Sequence, residues 1–174
     1  MVKILGVSKI RNKSLYDLKT LYLKLKEEGV FKYPVDNFAR FDCESKLVSI
    51  AIALALDDAR VAYAKGKKQD IGLIATSENG ALVAGLDYFK DYLNSGRVMG
   101  RGNLFIYTLP TSPLAEAAIH FGLSGPLFYL SFLANSDNRL IEFAKSMIQS
   151  DQVRILLAVI SNRKDATCFV IGKR

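Results

Sequence analysis

The stretch from Leu47 to Leu56 reads Leu-Val-Ser-Ile-Ala-Ile-Ala-Leu-Ala-Leu, apolar on nearly every side of a helix. A helix of that kind has no face to give to water, so it must lie buried between layers. It is also far too short to cross a bilayer. The sequence therefore calls for a layered protein with this helix inside it. The pattern predicts a long helix from Glu44 to Ala64, closed by Gly66 and the lysines that follow.

Strand and helix patterns alternate around it. Lys3 to Lys9 reads as a first strand. Ser14, with Asp17 three residues on, reads as a capping box. It opens a helix from Leu15 to about Glu28 that puts Leu18, Leu21, Tyr22 and Leu25 on one face and stops at Gly29. Phe31 to Phe41 reads as a connecting loop. Ile71 to Thr76 is a short apolar strand. The turn Ser77-Glu78-Asn79-Gly80 leads into a helix with Leu82, Leu86, Phe89 and Leu93 at helical spacing. A loop rich in Gly and Arg follows from Asn94 to Asn103, and Leu104 to Leu109 reads as extended. Ser112-Pro113 is a strong helix start, and that helix ends at Gly122. Leu127 to Leu133 reads as a buried apolar strand broken only by Ser131. Asp137 to Ser150 is helical, with Ser136 as its N-cap. Val153 to Ile160 and Ala166 to Ile171 form a closing hairpin through Asn162-Arg163-Lys164-Asp165. This order argues for an α/β sheet that ends in one antiparallel pair, in a single domain spanning residues 1–174.

The chain has 174 residues and is half hydrophobic, enough for a real core. Its net charge is +7, which favours acidic partners but says nothing about fold. The basic residues are scattered in short clusters, such as Lys9, Arg11 and Lys13, Lys65, Lys67 and Lys68, and Arg97 and Arg101. They read as solvated surface, and nucleic acid is a disfavoured partner. Two distant cysteines, Cys43 and Cys168, make no disulfide framework, so both are expected reduced and at least partly buried. The N-terminus lacks a signal-peptide pattern, and the expected location is cytoplasmic. Gly96 to Gly102 contains three glycines but follows no strand, so it reads as a surface loop and not as a phosphate cradle.

Several segments, taken in order, resemble the N-terminal half of a β-ketoacyl synthase of the thiolase superfamily. Phe38-Ala39-Arg40-Phe41-Asp42 resembles the segment before that family's long apolar helix. Asp70 to Thr76, with Asn79-Gly80-Ala81, resembles its strand and small-residue turn. Thr111-Ser112-Pro113-Leu114-Ala115 through Gly122-Leu123-Ser124-Gly125-Pro126 resembles the helix and turn before the nucleophile strand. The resemblance implies a half-thiolase fold: a five-stranded mixed sheet, helices on both faces and a C-terminal β-hairpin. It also places the nucleophile position at Ala134, in the strand-to-helix turn.

A condensing enzyme needs a thiolate and groups that polarise a thioester. Ala134 supplies no nucleophile. The chain has one histidine, His120, expected to be exposed and off the inner face of its helix. No catalytic residue, metal site or cofactor is therefore expected. The resemblance implies a degenerate synthase relative, comparable to the chain-length factors that pair with active synthases. It would act as a homodimer or as a companion to an active synthase-like subunit in fatty acid or polyketide-type biosynthesis, with an acyl carrier protein as a further partner. The interface is expected along Leu127, Phe128, Tyr129, Leu130, Ser131, Phe132 and Leu133, where an edge strand would template pairing. An alternative is an acyl-chain or small-molecule binding module without turnover, its ligand lying against Phe132, Ala134 and Ser136. The Asp137 to Ser150 helix is two-faced: Leu140, Ile141, Phe143, Ala144, Met147 and Ile148 oppose Asn138, Arg139, Glu142, Lys145, Ser146 and Gln149. That pattern suits a half standing without a second one.

Overall fold

A computed structural model describes residues 1–11, 15–131 and 137–173. The elements run β1 (Val2–Arg11), α1 (Leu15–Glu27), α2 (Cys43–Asp58), β2 (Ile71–Ser77), α3 (Leu82–Asn94), α4 (Gly102–Phe105), α5 (Ser112–Phe121), β3 (Leu127–Tyr129), α6 (Asp137–Gln149), β4 (Ile155–Ser161) and β5 (Asp165–Lys173), with short 3-10 turns at Phe38–Arg40 and Ile106–Thr108. The strands form one mixed sheet in the order β1-β5-β4-β2-β3. β2 runs parallel to both β3 and β4, while β5 pairs antiparallel with β4 and with β1. This is the five-stranded α/β architecture with a C-terminal hairpin that the sequence leads one to expect.

The apolar helix α2 is the centre of the larger core. Leu47, Val48, Ile50, Ile52 and Leu56 are fully buried, each contributing roughly 2 kcal/mol of hydrophobic stabilisation as an upper estimate. α2 lies on one face of the sheet, with α1 and α5 packed around it. Helix α6 covers the other face with Leu140, Ala144, Met147 and Ile148. Its Asn138, Arg139, Glu142, Ser146 and Gln149 point away from that core, and the two-faced pattern holds. Alternation along β2 and β4 feeds the two cores: Leu73, Leu157 and Val159 face α2, while Ile74, Leu156 and Ala158 face α6.

Several sequence expectations need correction. α2 stops at Asp58, not at Ala64. Strand β1 crosses its last turn so closely that a Cβ on Gly6 would lie 2.6 Å from the Ala59 nitrogen. The Asp58 carboxylate accepts a hydrogen bond from the backbone of Val7 at 2.8 Å. Arg60 then turns the chain at φ 54. Tyr63, expected in the helix, instead donates its hydroxyl to the Val30 carbonyl at 3.0 Å.

Leu104 to Leu109 is not extended. It falls in α4 and the following 3-10 turn, held by Thr108 Oγ1 donating to Phe105 O and Ser112 Oγ donating to Ile106 O. The strand expected over Leu127 to Leu133 ends at Tyr129. Leu130 leaves the ladder to bury itself under α6, and Ser131 is exposed. The expected caps Ser14 and Ser136 lie outside the described residues. Among those described, no helix is long and apolar enough to cross a membrane.

Candidate functional site

The carboxyl ends of β2, β3 and β4 form one crest of the molecule. The connection from β2 returns through α5 on the α2 face, whereas the connection from β3 returns through α6 on the opposite face. In open α/β sheets a crevice opens between strands whose connections diverge in this way, and ligands bind there. Here Tyr129 fills it. Its hydroxyl lies 3.1 Å from Ser77 Oγ and 3.3 Å from the Ser77 carbonyl. Thr76 Oγ1 donates to the Leu130 carbonyl at 2.8 Å, fixing where β3 ends. The turn that follows, with Phe132, Ala134 and Ser136, lies outside the described residues.

Beside the crevice is a small polar cavity of about 70 Å³, lined by Asp42, Glu44, Ser77, Tyr107 and Arg163 among others. Asp42 caps α2 by accepting from the Ser45 backbone at 2.8 Å. Glu44 accepts from Ser161 Oγ at 2.6 Å, and Arg163 pairs with Asp87 at 2.5 Å. Burial raises the Glu44 carboxyl above its ordinary range against the opposing pull of the Ser161 hydrogen bond. Burial likewise raises Glu116 against its hydrogen bond with Tyr107, and pushes Tyr107 up to about 12. Cys43 Sγ donates to the Arg163 carbonyl at 3.3 Å. The network ties the start of α2 to the β4–β5 hairpin. Cys168 is wholly buried in β5, where burial pushes its thiol up. Both cysteines are free thiols. No group of His, Cys, Asp or Glu among the described residues is arranged to hold a metal.

Next to the crest the surface turns strongly apolar. β3 is an edge strand with β2 on one side only. Of the interface residues expected from sequence, Phe128 is 45% exposed and Ser131 is exposed, Leu127 and Tyr129 are half-buried, and Leu130 is buried. Phe132 and Leu133 lie outside the described residues. The expectation of a strand buried on both faces is thus corrected: it is short, and its edge is open. The larger surface belongs to α3, which buries none of its side chains. Leu82 is 61% exposed, Leu86 48% and Phe89 54%, and Val98, Met99 and Phe105 extend the patch. The helical spacing of the α3 residues is visible in the sequence; that the face it marks stands open is visible only in the structure.

His120 is not exposed. It retains 9% of its surface and sits against the rings of Tyr33 and Phe121, each with its centroid 4.6 Å away. Tyr33 donates its hydroxyl to the His120 carbonyl, so the 30–41 segment closes over the side of α5. Burial lowers the imidazole to about 4, with Asp36 opposing and Lys65 assisting. The unfolded chain therefore takes up a proton at higher pH than the folded one. The stability conferred by neutral His120 is complete above about pH 6.5 and is lost as pH falls towards 4. Urea midpoints are expected to fall between pH 7 and pH 5. His120→Phe should flatten the difference, whereas the raised carboxyls of Glu44 and Glu116 act in the opposite direction and remain in both proteins.

No family model matches the chain, and no curated protein does. Solved structures do. A type II polyketide synthase ketosynthase, in complex with its acyl-carrier protein and bound to the hexaketide, superposes with a TM-score of 0.73 at 16% identity over 99% of this chain and 62% of that one. A β-ketoacyl synthase from Burkholderia phymatum gives 0.69 at 17% identity, covering 99% of this chain and 59% of that one. A ketosynthase in complex with its chain length factor, from Xenorhabdus doucetiae, gives 0.63 at 14%, covering 99% and 79%. The chain thus spans about three-fifths of the length of the first two. In strand order, crest and flanking helices, this chain has the fold of the ketosynthases.

Proposed function

We propose that this protein is a non-catalytic ketosynthase-like subunit that pairs with a second synthase-fold chain in fatty acid or polyketide-type biosynthesis. The observation that carries the reading is the apolar surface of α3 beside the open edge of β3. Monomeric proteins rarely expose a continuous patch of this kind, and one bordered by an unpaired strand suits an interface between chains. Solved relatives in fold are ketosynthases in complex with a chain length factor or an acyl-carrier protein, which supports a companion role. A carrier protein is the second partner of this reading, in keeping with the +7 charge.

Two features support the absence of condensing chemistry. Ala134, at the position matched to the nucleophile, has no group to attack a thioester. The single histidine is held among aromatic rings at the other end of the sheet. The cavity of about 70 Å³ at the crest is well below the several hundred Å³ of a typical ligand pocket, which favours the companion over the ligand-binding module. Purified protein is expected to show no malonyl-carrier decarboxylation and no acyl transfer above a protein-free blank. Turnover that disappears in a Ser136→Ala variant would contradict the proposal.

A further inference from the structure

At the opposite end of the sheet, where β2 and β3 begin, lies a surface of different character. The segment leading into β2 brings Lys65, Lys67 and Lys68 beside the end of α5. A groove of about 480 Å³ runs between them over Ala118 and Leu123. It continues past Gly66, Ile119 and His120 into a second hollow of about 450 Å³ walled by Tyr33 and Phe41. Ile119 is 80% exposed and stands as a ridge between the two.

The walls are rigid. Gln69 donates its backbone N–H to the Gly122 carbonyl at 2.8 Å, and Ser124 returns both its N–H and its hydroxyl to the Gln69 carbonyl at 2.8 Å. The groove is thus formed before anything binds, and little ordering cost remains for a ligand to meet. Among the described residues no ion pair joins Lys65, Lys67 or Lys68 to a carboxylate, although ion pairs form elsewhere.

An apolar ridge with unneutralised lysines on its rim narrows the choice of occupant. A second copy of this chain is disfavoured, because two +7 molecules would meet lysine to lysine. A nucleic acid backbone would engage the lysines but has nothing to offer Ile119. We propose that this groove docks an acidic amphipathic helix of another protein. Its carboxylates meet Lys65, Lys67 and Lys68. Its apolar side chains, spaced one turn apart, straddle Ile119 and enter the two hollows. The neutral His120 leaves the floor uncharged. The groove lies at the far end of the sheet from the α3 surface, so the inference stands or falls independently of the pairing proposed above.

The test uses the full chain and a fluorescent peptide of about sixteen residues with leucines on one helical face and glutamates on the others, followed by anisotropy. Binding is expected at low salt and should weaken as salt rises. Lys67→Glu with Lys68→Glu should weaken it about tenfold or more, and Ile119→Asp by a similar factor. Lys19→Glu with Lys26→Glu, an equal charge change on α1, should leave it within about twofold. All these side chains are exposed, so unchanged melting temperatures certify the fold. On peptide addition, amide exchange should slow at residues 66–68 and 122–124. Undetectable binding, an Ile119→Asp variant that binds like the wild type, or a control that weakens binding as much as the groove variant overturns the proposal. So does tighter binding to duplex DNA or to phosphatidylglycerol vesicles than to the peptide.

Discussion

Gly122→Ala is expected to destabilise the protein by about 3 kcal/mol or more, lowering its melting temperature by about 10 °C. Gly122 ends α5 at φ 67, in the left-handed region where a side chain is strained. A Cβ there would also lie 2.1 Å from the Lys67 carbonyl oxygen. That oxygen belongs to a backbone pinned by the bond from Gln69 to Gly122, so it cannot move aside without breaking the link between the α5 end and the start of β2. Gly29 provides the comparison. It follows α1 at φ 76, and a Cβ added there would meet nothing within 4 Å, so Gly29→Ala carries only the conformational cost, about 1 kcal/mol. Chemical denaturation of the two variants separates strain from collision. Equal losses would mean that the α5–β2 contact is looser than described.

Leu86→Glu combined with Phe89→Glu is expected to abolish pairing while leaving the fold intact. Both residues are about half exposed on α3, so neither change empties the core. In an interface, each would place a charge where an apolar anchor had been, at about 2 kcal/mol or more apiece. Together they should raise the dissociation constant about a thousandfold. The variant should sediment as a single chain, with a far-ultraviolet spectrum and melting temperature set by the monomer alone. If its mass matches the wild type's in a paired state, α3 is not the interface, and the edge of β3 must carry the pairing by itself.

Which parts of the molecule are legible in the sequence follows from the range of the forces involved. α2 is legible because Leu47 to Leu56 is apolar all round, a property that needs no partner to be seen. Its end is not, because it is set by β1 pressing on Ala59 through Gly6, a contact between residues far apart in the chain. Leu104 to Leu109 reads as extended because a short apolar run has no period that tells strand from helix, and the decisive bond comes from Ser112. The burial of His120 escapes a helical wheel, which sees only one helix. The residue lies off the inner face of α5, but Tyr33 and its neighbours wrap that side as well. The edge position of β3 follows from the sequence only as a condition of pairing, and the exposure of the α3 stripe beside it does not follow at all. Amphipathic spacing records that a face needs a partner, not whether the partner is in the same chain. Ala134, on which the reading of lost chemistry rests, lies outside the described residues, so that part of the site is carried by the sequence alone.

The most direct test of the account is the solution mass of the purified chain, measured by light scattering on a sizing column, alone and mixed with a ketosynthase from the same source. Pairing through α3 and the edge of β3 predicts a two-chain particle: either twice the 19.3 kDa of this chain or a complex with the ketosynthase. A single-chain mass at every concentration, with and without the ketosynthase, would contradict it.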